Sequence, residues 1–224
     1  MKKMILAALL VGASAATASA QVEIGLKLSP SVTSLRTESP SALGFQSEGS
    51  KLTIGGGLVV DYFFGQNYAF STGVMLTGKG GKFSYYDPAT NLRYEQKLGL
   101  QYIEVPVTVK LFTNDIATDT KLYFQLGGSL NAAIAGKING NKRYSDPGKN
   151  NLESKASDHA IIPDAAVLLG TGVEYQVGQS TKVFAGVSYH RGLLNIEKYF
   201  EDERDFSDVS LKNNEFRLDL GLKF

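Results

Sequence analysis

Few side chains in this 224-residue chain could do covalent chemistry. There are two histidines, His159 and His190, and no cysteine. Ser188 and His190 stand two residues apart, so on a strand they share one face and touch. With Glu104 or Glu174 to orient the imidazole, this is the residue set of a serine acyl hydrolase, the chemistry of a membrane enzyme that modifies lipid A. Such a site should face lipid near an outer rim, whereas the local pattern points these residues away from the apolar face. The absence of cysteine excludes disulfides, thiolate metal sites and a cysteine nucleophile. Glu201, Asp202, Glu203 and Asp205 form a dense acidic run, but their spacing matches no known calcium loop. No cofactor or metal is expected.

Most of the chain's polar chemistry is of another kind. Lys27, Asp61, Glu104, Lys110, Gln125, Glu174, Ser188, His190, Arg217 and Asp219 lie out of phase with apolar residues in alternating segments. The clearest segment is the last, Glu215 to Phe224. Phe216, Leu218, Leu220, Leu222 and Phe224 fall on one face; Arg217, Asp219, Gly221 and Lys223 fall on the other. That is the pattern of a strand that closes a membrane barrel with its apolar face on lipid.

Seven earlier segments repeat it. Strands are expected over residues 22–34, 51–64, 68–84, 93–112, 121–137, 161–177, 181–194 and 212–224. The expected fold is an all-β, eight-stranded, antiparallel up-and-down transmembrane barrel. Connections after the second, fourth and sixth strands are short. Those at 35–50, 138–160 and 195–211 are long and polar, and are expected to be solvated outer loops. An even strand count puts both mature termini on the short-turn, periplasmic side. Pro106 sits mid-strand and has no N–H for the ladder, which predicts a bulge or kink there.

The other end of the chain agrees. Lys2 and Lys3, the apolar run from Ile5 to Val11 and Ala18-Ser19-Ala20 read as a secretory signal over residues 1–20, cut before Gln21. The barrel domain is then 21–224. Without Lys2 and Lys3, 21 basic residues face 22 acidic ones, which leaves no basic field for nucleic acid. Phe63, Phe64, Tyr68, Phe70, Phe112, Tyr123, Phe124, Tyr175 and Phe224 gather near the short turns. Tyr85, Tyr86, Tyr94, Tyr102 and Tyr189 lie toward the other end. Both groups read as interfacial girdles.

Eight strands enclose an interior just wide enough for side chains. The out-of-phase charges are therefore expected to pair as a polar plug, with glycines making room for the long chains. A proton or ion path is the sharper alternative.

Tyr102-Ile103-Glu104-Val105-Pro106-Val107-Thr108-Val109-Lys110 resembles a strand motif of the outer-membrane β-barrel family of Bacteroidetes known as porin-family or PorT-like proteins. Tyr123 to Gly128, Gly170 to Tyr175 and Tyr189 to Ile196 resemble its later strands, in order. The resemblance covers nearly the whole mature chain. It implies an eight-stranded outer-membrane barrel with no agreed catalytic residue. A pore does not follow from the name, and one relative's part in protein secretion does not transfer on structural motifs. Three functions are consistent with the sequence: a non-enzymatic barrel in outer-membrane lipid whose loops 35–50, 138–160 and 195–211 meet envelope or surface partners; a lipid A-modifying enzyme; and a soluble periplasmic ligand-binding barrel with its apolar face inside.

Overall fold

The computed structural model describes residues 22–149 and 151–224; the leader expected at 1–20 lies outside them. A strand with one apolar face must bury that face or give it to lipid, and eight such strands remove their open edges by closing into a ring. The ring is formed by β1 (Val22–Glu38), β3 (Lys51–Gly65), β4 (Tyr68–Asp87), β5 (Leu92–Phe112), β6 (Thr120–Ile138), β9 (Pro163–Gln176), β10 (Lys182–Gly192) and β11 (Ser210–Lys223). Each pairs antiparallel with its neighbour. β11 closes on β1 through pairs such as Leu28 with Leu220 and Val32 with Phe216. The ring is the expected one, and its boundaries fall within a few residues of those expected.

The apolar face is outside. Leu52 and Ile54 are 81% and 65% exposed, and Leu126, Leu169, Val187, Phe216 and Phe224 stand out in the same way. At about 3.3 Å per residue and a tilt of about 40°, the outward run from Leu52 to Phe64 covers about 30 Å, enough for an apolar band of about 25 Å. A soluble barrel with an apolar lumen is thereby excluded.

Three local expectations are corrected. Pro106 makes no bulge. β5 stays in register with β6 through Val105–Leu130, Pro106–Ser129 and Val107–Gly128. Toward β4 the ladder lapses between Thr72–Val107 and Met75–Glu104 and resumes without a shift. The missing N–H thus interrupts one side of the ladder only, where the opposing residues are Gly73 and Val74. The register shift on β5 lies higher, at Gln101/Tyr102 against β6.

Not all the aromatics form girdles. Phe64, Tyr68, Phe70, Phe124, Tyr175 and Phe224 are exposed on the outer wall, but Phe112 and Tyr123 are buried inside, as are Tyr85 and Tyr102 at the other end. Glycines serve these rings as much as the long charged chains. A Cβ on Gly186 would lie 2.3 Å from the Tyr123 hydroxyl, and one on Gly221 would lie 2.4 Å from the Phe184 ring.

The long loops are folded rather than simply solvated. β2 (Gln46–Gly49) pairs with the upper part of β4. β7 (Arg143–Asp146) and β8 (Leu152–Lys155) form a hairpin. A short helix, α1 (Tyr199–Arg204), sits in the last loop. Their burial comes from contacts across loops, which the local charge pattern does not report.

Candidate functional site

The lumen is filled in three tiers. The middle tier centres on Glu104, which is 0% exposed. Arg217 donates to both its oxygens at 2.7 Å and also donates to Glu215 at 2.7 Å. Lys79 lies 3.0 Å from Glu104 and donates to Asn131 at 3.0 Å. Alongside, Asp219 takes Lys27 at 3.2 Å and accepts from Ser29 at 2.6 Å and Ser188 at 2.7 Å. Lys27, Lys79 and Arg217 balance Glu104, Glu215 and Asp219.

The tier toward the short turns repeats this balance. Asp61, also 0% exposed, accepts from Lys110 at 2.9 and 3.0 Å and from Ser71, and meets Lys223 at 2.6 Å. Lys223 also binds Glu174 and approaches Glu23 at 3.5 Å, while Lys182 pairs with Glu23. Lys110, Lys182 and Lys223 offset Asp61, Glu174 and Glu23. Rings cover the cations: Lys110 stands 5.4 Å from the Tyr123 ring centre and Lys223 stands 5.5 Å from that of Phe112. Between the two tiers Gln125 donates to Thr108 at 2.7 Å.

Lys27, Asp61, Glu104, Lys110, Gln125, Glu174, Ser188, His190, Arg217 and Asp219, out of phase with the apolar residues in the sequence, all sit in the lumen wall, whereas His159 and Glu201, Asp202, Glu203 and Asp205 lie in the loops. Lys223, expected on the inward face, joins the networks, and Glu23, Lys79, Asn131, Lys182 and Glu215 complete them beyond the residues expected from the sequence. Their signal is present: Glu23, Asn131, Lys182 and Glu215 share the strand phase of residues expected inward, and Lys79 is out of phase with the apolar Tyr68, Phe70, Val74 and Leu76 of its strand.

The tier at the long-loop end is apolar. Phe83, Tyr85, Leu98, Leu100 and Tyr102 of the wall pack against Leu43, Phe45, Ile196, Tyr199 and Phe200 of the loops. The Phe200 ring meets Tyr85 at 4.7 Å and Phe45 at 5.0 Å, both edge to face. Arg204, from the end of α1, donates to Asp146 at 2.7 and 2.8 Å and to Asp87. Tyr199 donates to Asp146 at 2.8 Å. Glu201, Asp202, Glu203 and Asp205 are exposed, as a solvated loop requires, while Tyr199, Phe200 and Arg204 of the same segment turn into the stopper.

The hydrolase set comes together without its chemistry. His190 Nε2 lies 3.2 Å from Ser188 Oγ, and Nδ1 lies 3.9 Å from Glu104. The Ser188 proton goes to Asp219, however, so Nε2 is left as the donor to Ser188 Oγ and is not free to take its proton. Both residues are buried in the packed lumen, away from the lipid face. The oxygens of Glu104 and Glu215 with His190, and of Glu23, Asp61 and Glu174, converge closely enough for a metal ion. Arg217, Lys79, Lys110 and Lys223 already place positive charge there.

The stopper holds two buried titratable groups of opposite sense. Burial pushes the Glu197 carboxyl up to about 7 and the His159 imidazole down to about 4. Glu197 accepts from the Phe200 N–H, and His159 meets Ser154 at 2.6 Å and stacks on Tyr199 at 3.8 Å. A raised carboxyl stabilises most below its unfolded value and loses that contribution as pH rises to about 7. A lowered histidine stabilises above its unfolded value and loses that contribution as pH falls from about 6.5 toward about 4. Amide protection of 196–209, corrected for the intrinsic pH dependence of exchange, should therefore fall on both sides of mildly acidic pH. Glu197→Gln should flatten the alkaline limb, and His159→Gln the acidic limb. Unchanged limbs in these variants would contradict the assignment.

A closed ring with lipid-facing leucines outside and paired charges inside defines an integral membrane β-barrel. The family model described as outer membrane protein beta-barrel domain matches residues 14–198, and the chain belongs to that family. Similar solved structures include Neisserial surface protein A (NspA), at 16% identity over 88% of this chain and 95% of that one, with a TM-score of 0.43. OprG of Pseudomonas aeruginosa is 8% identical over 91% of this chain and 97% of that one, with a TM-score of 0.49. Ail of Yersinia pestis is 15% identical over 91% and 99%, with a TM-score of 0.40. No curated protein matches the chain.

Proposed function

We propose that this chain is a closed, non-enzymatic barrel of the outer membrane whose folded mouth engages envelope or surface partners. The observation that carries this reading is the filled lumen: two ion-paired networks lie under an apolar stopper. Freeing buried charges from such pairs is costly, which favours a closed lumen over an ion path. The expected result is no channel activity. Purified protein in planar bilayers should give no conductance steps and no sugar uptake in liposome swelling; discrete steps from folded, heat-modifiable protein would refute closure.

Within the family, the Tyr102–Lys110 motif supports a place among the PorT-like proteins of Bacteroidetes. The motif has a physical rationale here. Tyr102, Glu104, Pro106, Thr108 and Lys110 all point inward, and Glu104 and Lys110 anchor the two networks.

Short turns at one end and folded loops at the other support periplasmic termini and an outward mouth. Because the chain lacks cysteine, Ser41→Cys in the long-loop end and Asn114→Cys in a short turn give clean reporters. A membrane-impermeant thiol reagent on whole cells should label the first and spare the second. The reverse pattern would invert the topology. Partners through loops 35–50, 138–160 and 195–211 are then sought by cross-linking from the same Ser41→Cys position.

A further inference from the structure

On the outer wall, directly above the apolar band, lie lysines that have no reason to be close unless an anion joins them. Lys82 of β4 and Lys97 of β5 are paired residues, so their side chains stand side by side on one face. Like charges directly opposite are destabilising. Next along the face, Gly99 pairs with Lys137 of β6, and Gly80 pairs with Gly99. Neither glycine has a side chain, and the Lys51 ammonium reaches in from β3: a Cβ on Gly99 would lie 2.4 Å from its Nζ. The depression so formed holds about 590 Å³.

Among the described residues only Glu95 answers these cations. It lies 3.4 Å from Lys82 in an exposed pair that contributes little. Lys51, Lys97, Lys137 and Lys142 have no ion-pair partner among the described residues. The lumen of the same protein balances its charges, so this excess is local.

The cradle continues downward into an apolar groove of about 850 Å³ over the outer wall. Leu52, Ile54 and Leu76 line it, and Lys142 stands at its upper rim. The groove lies where the wall is least regular. β3 and β4 pair only from Gly56–Leu76 toward the short turns, and above that point Thr53 donates to the Gly78 carbonyl at 2.8 Å in place of a ladder.

A charged cradle at the edge of an apolar band with an apolar groove beneath it selects a ligand with both parts. We propose that Lys51, Lys82, Lys97 and Lys137 bind the phosphate of a phosphorylated, acylated glycolipid of the lipid A class, with an acyl chain in the groove below. Basic pockets at a membrane surface hold anionic lipid headgroups in the same way. The site deepens the reading above, because it rests on the long-loop end facing out, where such a lipid would lie.

The test uses the full-length protein in nanodiscs, which present lipid at both ends, so binding is read independently of orientation. Failure of the orientation reading would appear in the Ser41→Cys labelling and leave this result untouched. Diphosphoryl lipid A should bind at least about tenfold more tightly than its dephosphorylated form. The triple variant Lys82→Gln, Lys97→Gln, Lys137→Gln should abolish that preference while retaining heat-modifiable migration. If the triple variant fails to fold, Lys97→Gln alone should reduce the preference, and the matching lysine-to-arginine variant should retain it. A wild-type preference near one, or a preference the glutamine variants keep, would overturn the proposal. Displacement of the lipid by inorganic phosphate at equal concentration would overturn the lipid assignment in favour of a free-anion site.

Discussion

Glu104→Leu is expected to destabilise the barrel by about 3–5 kcal/mol, the loss typical when one partner of a buried ion pair is removed. The substitution strands Arg217 and Lys79, whose side chains are 0% and 2% exposed, with only Glu215 and Asn131 for partners. Urea titration of folded protein, followed by heat-modifiable migration, measures the effect. The double variant Glu104→Leu, Arg217→Leu should recover part of the loss, because Lys79 and Glu215 then balance. That double-mutant cycle separates the pairing from the packing of the leucine. A single variant within about 1 kcal/mol of wild type would show that water reaches the middle tier, and the closed-lumen reading would fail with it.

Arg204→Leu should act on the mouth alone. It removes the cation from Asp87 and Asp146, both 0% exposed at the side chain. The same range of about 3–5 kcal/mol then falls on a unit that can open locally, so amide exchange over 196–209 should accelerate at least about a hundredfold. The urea midpoint of the barrel should hardly move, because the ladder from β1 to β11 is untouched. A matching fall in barrel stability would mean that stopper and wall unfold as one unit.

The two effects differ in kind because the two regions are specified differently. The wall was legible in the sequence. Alternation in segments such as Val105-Pro106-Val107-Thr108-Val109-Lys110 states which side chains share a face, and closure follows once eight such segments must lose their edges. Phe112 shares the phase of Lys110, and Tyr123 that of Gln125, so both are interior; nearness to the short turns had suggested girdle positions instead. Lys79 and Glu215 were readable by the same rule.

The stopper was not legible. Tyr199-Phe200-Glu201-Asp202-Glu203-Arg204 has the composition of a solvated turn, and nothing local marks Phe200 for burial. Its partners, Phe45 and Tyr85, are more than a hundred residues away in sequence. The lysine cradle is of the same kind: Lys51, Lys82, Lys97 and Lys137 come from four strands and become neighbours only through register.

By itself, then, the sequence determined the strands and their two faces, because side-chain direction on a strand is a local property with a period of two; that the polar face is the lumen side was decided by the exposure of Leu52, Ile54 and Leu126 on the outer wall. Which charges pair, what seals the mouth and where unpaired lysines collect were decided only by the tertiary structure. Those depend on which residues register and loop closure bring within a few ångströms of one another, and alternation within a single strand does not contain that information.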